Sequence, residues 1–220
     1  MDSEDFKNFL GITASICAIL QFLTGILVCQ KVIQNKSTGD NSSFPFVSGC
    51  LSTALWLRYG FLIEDKSIIF VNAVGSLLFI AYVVVFYLYS IKTEYIIRQI
   101  ITCGLILLAT LLYVKNASNL EEAQNHLGLI CTGVTILFFA APLSSLMHVI
   151  RVKNTESLPY PIILASFVVC IQWLLYGYLL EDMFIQIPNF LGALLSGFQL
   201  GLFYVYPTNN KSKLYSSDII

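Results

Sequence analysis

Two asparagines and two tryptophans carry most of the chemistry that a largely apolar sequence offers: Asn72 and Asn189, Trp56 and Trp173. An amide side chain both donates and accepts hydrogen bonds, and a flat indole face can cover the apolar side of a ring. Together these groups suit a neutral, polyhydroxylated ligand. Trp56 precedes the Glu64-Asp65 pair by eight or nine residues, and Asn72 follows Asp65 by seven. In helices rising about 1.5 Å per residue, both lie on the order of 10 Å from that turn. Trp173 and Asn189 flank Glu181-Asp182 in the same way. Asparagines in a membrane also serve as helix–helix glue, and tryptophans as interfacial anchors. The duplication of amide and indole at one level favours the ligand.

Other chemistries lack their parts. There is no phosphate-binding glycine loop, no paired catalytic carboxylates and no His/Asp cluster, so neither an enzyme nor a cofactor is expected. The six cysteines lie in or beside apolar runs without a CxxC pair, which fits small buried hydrophobes rather than a disulfide framework or a metal site. A net charge of −1 offers no basic surface for nucleic acid.

The elements that must hold these residues follow from composition. Apolar residues make up 57% of the 220 and charged residues 11%, with a mean hydropathy of +0.77, whereas soluble domains carry about 25% charge. Seven apolar runs of membrane-spanning length can be read, at 9–29, 45–63, 67–89, 96–114, 127–149, 160–180 and 183–206. The chain therefore reads as an all-α integral membrane protein embedded in a lipid bilayer. The acidic start, Met1-Asp2-Ser3-Glu4-Asp5, is unlike a signal peptide, so the first run is expected to stay as a span.

Basic residues orient the spans. With the N-terminus outside, inner segments hold Lys31, Lys36, Lys92, Arg98, Arg151, Lys153, Lys211 and Lys213, and outer segments hold Lys7, Lys66 and Lys115. The C-terminus is then cytosolic. Of four sequons, at Asn35, Asn41, Asn116 and Asn210, only Asn116 faces the glycosylating side. Apart from Arg98 in the first turn of the 96–114 run, Arg58 is the one charged residue inside a span, close enough to the outer loop to snorkel. His148, near an inner span end, is the remaining titratable group and suits a structural role. Ion coupling usually leaves ionisable residues within the membrane, so uncoupled movement of the ligand is expected.

The chain also repeats itself. Shifted by 117 positions, 56–89 falls on 173–206 without a gap and with 15 identities in 34 positions, both tryptophans and the Glu-Asp pair included. Each copy holds three spans. The organisation reads as a first three-helix repeat at 9–89, a linker span at 96–114, a second repeat at 127–206 and a tail at 207–220. This 3+1+3 order, with parallel repeats, is a carrier signature.

Lys36-Ser37-Thr38 ahead of Phe44-Pro45-Phe46, the paired Trp-x-x-Tyr-Gly and Asn-x-x-Gly motifs, Ala141-Pro142-Leu143 and Leu158-Pro159-Tyr160-Pro161 together resemble the SWEET (MtN3/saliva) sugar transporters, the animal members above all. The resemblance runs from about Phe9 to Pro207. It implies sugar as substrate, bound by Asn72, Asn189, Trp56 and Trp173, with Ser52 as a small polar pocket position whose repeat mate is Val169. It implies inner-gate hinge prolines, matched here by Pro45, Pro142 and Pro159, with Gly25 standing at the fourth position. It also implies an outer gate of Tyr59, Tyr176, Lys66 and Asp182, with Lys66 and Asp182 pairing. A homo-oligomer in plasma or Golgi membranes is implied as well. The readings that stay open are a PQ-loop-type carrier of another small neutral solute, which would be expected to bring an intramembrane acid, and a seven-helix receptor, which would show no repeat.

Overall fold

The computed structural model describes residues 3–206, all of whose regular structure is helical. In chain order the helices are α1 (Ser3–Asn35), α2 (Phe44–Leu62), α3 (Lys66–Tyr89), α4 (Thr93–Lys115), α5 (Leu120–Phe138), α6 (Ala140–Val152), α7 (Tyr160–Leu179) and α8 (Met183–Val205). Six stretches are long and apolar enough to cross a membrane, with α5 and α6 together forming one of them. The remaining span is α2, whose 19 residues cover roughly 28 Å. Arg58, Pro45 and several small polar residues make α2 less apolar than the rest. The expected tail at 207–220, with the Asn210 sequon, lies outside the described residues.

The helices exceed the apolar runs where the flanking sequence is polar but free of proline and glycine. α1 extends to Ser3 and Asn35, because residues such as Gln30, Lys31 and Gln34 favour helix without favouring lipid.

The chain divides into two compact units, Met1–Val134 and Thr135–Ile220, the division falling inside α5. In the first, α3 packs against both α1 and α2, and α4 packs on α2. At the end of this unit away from the α2–α3 turn lies an aromatic cluster of Phe46, Tyr82 and Phe86 with Cys29, Val32 and Ile96. Phe46 meets Tyr82 edge-on at 5.4 Å and Phe86 at 4.8 Å. In the second unit, α8 packs against both α6 and α7. Its cluster away from the α7–α8 turn is largely aliphatic, built on Val149, Leu158 and Ile163. In each unit the third helix of the repeat thus contacts both of its companions. All six cysteines are free, and Cys29 and Cys131 are buried.

The α2–α3 and α7–α8 turns use the same device. Glu64 and Glu181 take left-handed backbone, with φ of 56° and 55°. The next residue then caps the following helix. The Asp65 carboxylate accepts from Ile68 N at 2.9 Å, and that of Asp182 accepts from Phe184 N at 2.8 Å and Ile185 N at 3.2 Å.

The proline positions correct the sequence reading in part. Pro45 stands in the first turn of α2, and Pro159 is the residue before α7. A proline there removes no helical bond, so neither frees a carbonyl within a span. Pro142 does interrupt its span. Its ring and missing N–H act on the carbonyl four residues back, Phe138, which is where α5 ends before α6 resumes at Ala140. Gly25 lies within an unbroken α1, so that helix has no break at the matching place. A further proline, Pro188, sits buried inside α8 next to Asn189.

Candidate substrate site and gates

The α2–α3 and α7–α8 hairpins each set an indole and an amide at one level. Trp56 lies six residues before the end of α2 and Asn72 six after the start of α3, about 9 Å along each axis. Trp173 and Asn189 stand in the same relation to the α7–α8 turn. Glycines let the paired helices approach. A Cβ on Gly60 would lie 3.0 Å from the Ile69 backbone nitrogen, and one on Gly177 would lie 3.1 Å from that of Gln186. Gly60 and Gly177 also accept from the backbone N–H of Asp65 (3.0 Å) and Asp182 (2.9 Å), closing the turns.

The two amides make the same hydrogen bond. Asn72 Nδ2 donates to the Ile68 carbonyl at 2.9 Å, and Asn189 Nδ2 donates to that of Ile185 at 2.8 Å, each four residues back on its own helix. Both residues are half-buried. Within its own unit, neither amide bonds to another helix among the described residues. The back-bond fixes each amide plane and leaves the carbonyl oxygen and a second N–H for a ligand.

Ser52 stands one turn before Trp56 on α2, half-buried. Trp173 is 9% exposed, and Trp56 is somewhat more open. Beside Trp173, the Gln172 Oε1 is buried with no hydrogen-bond partner, an acceptor that a ligand hydroxyl or a water would satisfy. Sequence reasoning passed over it because its repeat mate is Leu55, so the duplication that singled out the asparagines was missing.

Of the residues that the resemblance assigns to an outer gate, Tyr59 and Tyr176 are buried at 2% and 4% exposure, whereas Lys66 is exposed at the start of α3. Asp182 has a capping duty that the sequence reading did not assign to it, although an Asp directly before an apolar run is a recognisable cap signal. The cap separates two roles experimentally. Asp182→Asn keeps a competent cap but removes the charge, and it should change the transport rate at unaltered thermal stability. Asp182→Lys loses both and should also cost about 1 kcal/mol of stability. A normal rate in the Asn variant would reduce Asp182 to a cap.

Farther from the turns, the Tyr82 hydroxyl donates to the Phe22 carbonyl at 3.1 Å, and its ring covers Gly25. At the matching repeat position, Gln199 Nε2 donates to the Pro142 carbonyl at 3.2 Å. Asn116 is the exposed residue ending α4, in a short loop held by the Ser118 N–H on Glu122 Oε2 at 2.7 Å. Glycosylation scanning in microsomes should find glycan on Asn116 and none on Asn35, Asn41 or Asn210. Sugar on any of those three would reverse the orientation.

Fold and site together define a multi-pass helical membrane protein in which one three-helix plan, with one set of polar and aromatic residues, occurs twice. The comparisons agree. A family model described as "Sugar efflux transporter for intercellular exchange" (MtN3/saliva) matches residues 8–94 and 125–211, two equal segments in the register of the internal repeat. The chain is 49% identical over 207 residues to the sugar transporter SWEET1 of Drosophila pseudoobscura pseudoobscura, covering 93% of this chain and 92% of that one. It is 37% identical over 215 residues to SWEET1 of Caenorhabditis elegans, covering 96% and 69%. A solved structure of a eukaryotic SWEET transporter superposes with a TM-score of 0.78 at 26% identity, over 91% of this chain and 98% of that one. The chain belongs to the MtN3/saliva (SWEET) family, which is a family of sugar transporters and not of enzymes.

Proposed function

We propose that the protein moves a glucose-like monosaccharide across a membrane in either direction, without ion coupling, by alternating access. The observation that carries this reading is the duplicated amide: Asn72 and Asn189 are each oriented by a bond to their own helix, at the level of a tryptophan. An amide acting as glue would bond to a neighbouring helix instead. The names of the relatives support sugar as the substrate.

In this reading Trp56, Trp173, Asn72, Asn189 and Ser52 bind the sugar. Tyr59, Tyr176, Lys66 and Asp182 form the outer gate, and Pro45, Pro142, Pro159 and Gly25 mark the inner gate. Pro142 is the inner-gate proline with a broken helix beside it. The N-terminus faces the outside or the lumen, and the plasma membrane or the Golgi is the site of action. The protein works as a homo-oligomer.

Purified protein in proteoliposomes should equilibrate labelled glucose and show counterflow, and it should discriminate within a panel of mono- and disaccharides. Collapsing proton or sodium gradients should leave the initial rate unchanged, because no acid lies within the seven apolar runs to carry the ion. Gradient-driven accumulation above equilibrium would exclude the facilitator and favour a coupled carrier.

A further inference from the structure

We infer that Tyr59 and Tyr176 are positioning residues that fix the indole planes of Trp56 and Trp173. This deepens the site reading above and rests on it. In α2 the Trp56 and Tyr59 rings stand 5.6 Å apart at 89°. In α7 the Trp173 and Tyr176 rings stand 5.5 Å apart, also at 89°. Residues three apart on a helix are neighbours, but spacing alone leaves the ring angle open. Perpendicular packing is an arrangement that aromatic quadrupoles favour, and it recurs in both repeats.

The tyrosines are able to act as brackets because they cannot move. Both rings are buried. The Tyr59 carbonyl accepts from Ile63 N at 3.1 Å and that of Tyr176 from Leu180 N at 3.0 Å, closing the last turn of each helix. The residue after each is the glycine at the closest approach of the hairpin, Gly60 or Gly177. Backbone and ring are therefore clamped on the outer side, and the indole leans on a fixed surface. A tryptophan without such support could turn about its side-chain torsions, and a sugar ring stacking on it would first have to immobilise it. The bracket supplies that order in advance. It also connects the ligand-facing ring to the residue proposed to gate the outer side.

The test uses the fact that the chain has only two tryptophans, one in each pair. In Trp173→Phe, emission reports on Trp56 alone; in Trp56→Phe, on Trp173. Tyr59→Leu and Tyr176→Leu should raise KM for the transported sugar about three- to tenfold, with a smaller change in maximum rate. They should also shift emission of the partner indole and introduce nanosecond motion in its anisotropy decay. Tyr59→Phe and Tyr176→Phe retain a ring and should restore KM and emission to near wild type. KM and emission unchanged in both Leu variants would overturn the inference.

Trp56→Leu and Trp173→Leu separate this failure from that of the site. A KM indifferent to the tryptophans sinks the site reading and the bracket with it. A KM that responds to Trp→Leu but not to Tyr→Leu sinks the bracket alone. If the Leu variants do not accumulate, the single-tryptophan chains with intact tyrosines decide. Indoles that follow only overall tumbling agree with a bracket, and large nanosecond wobble overturns it.

Discussion

Asn72→Ala and Asn189→Ala are each expected to lower sugar uptake per molecule at the surface by about tenfold or more. A hydrogen bond to a ligand in a partly dry site contributes on the order of 1 kcal/mol or more, and a bidentate amide loses more than one. The structure sharpens what should happen to folding. Each amide donates to the carbonyl four residues back, and in a helix that carbonyl already accepts a backbone N–H. Truncation to Ala therefore strands no buried group within its own unit, and alanine is also the better helix former. Melting temperature in detergent should stay near wild type, while the stabilisation that added sugar gives to the parent should be lost. Normal transport per molecule with a lowered melting temperature would return both residues to structure.

The second large effect concerns stability. Gly25→Ala should destabilise the protein by about 1–3 kcal/mol, the range for forcing an added carbon into a packed interior. The new Cβ would lie 2.5 Å from Cε2 of Tyr82 and 2.9 Å from Cδ2. That ring cannot easily give way. Its hydroxyl holds the Phe22 carbonyl, and Phe46 and Phe79 pack at right angles or nearly so, 5.4 and 6.0 Å away. Tyr82→Leu alone should also destabilise by emptying the site. The double variant should lose less than the sum of the two, because the smaller side chain makes room for the methyl. Strict additivity in thermal unfolding would show that the two residues do not contact.

The same contact explains a departure that the sequence displays but does not account for. The resemblance calls for proline on the first span, and glycine stands there. A pyrrolidine ring needs the space that the tyrosine fills, and the matching position on α8 is Gln199, a slimmer side chain that reaches the Pro142 carbonyl instead. Span positions and their number were legible because apolar length is a strong, local signal. The break at Phe139 was legible through Pro142, a proline within an apolar run that acts on the carbonyl of Phe138 four residues upstream. The indole and amide positions were legible through duplication. The partners that orient them were not: ring angles and back-bonds arise from packing, which leaves no period in the sequence. The caps at Asp65 and Asp182 were within reach, yet the Glu-Asp pairs were used only to mark the turns, and the resemblance cast Asp182 as the partner of Lys66.

Glu64 and Glu181 show how little slack the outer turns contain. A left-handed residue with a full side chain is conformationally costly. It is retained at both turns, each followed by an aspartate that pins the start of the next helix. A connection this short and this well tied cannot lengthen, so α2 cannot slide along α3, nor α7 along α8. In the alternating-access reading proposed above, each hairpin would then act as a single lever arm, displaced at its far end by tilting the whole arm about the turn. In that reading the place to jam it is the far tips, Ser90 and Tyr206, where a given tilt produces the longest stroke and α3 and α8 end in extended backbone.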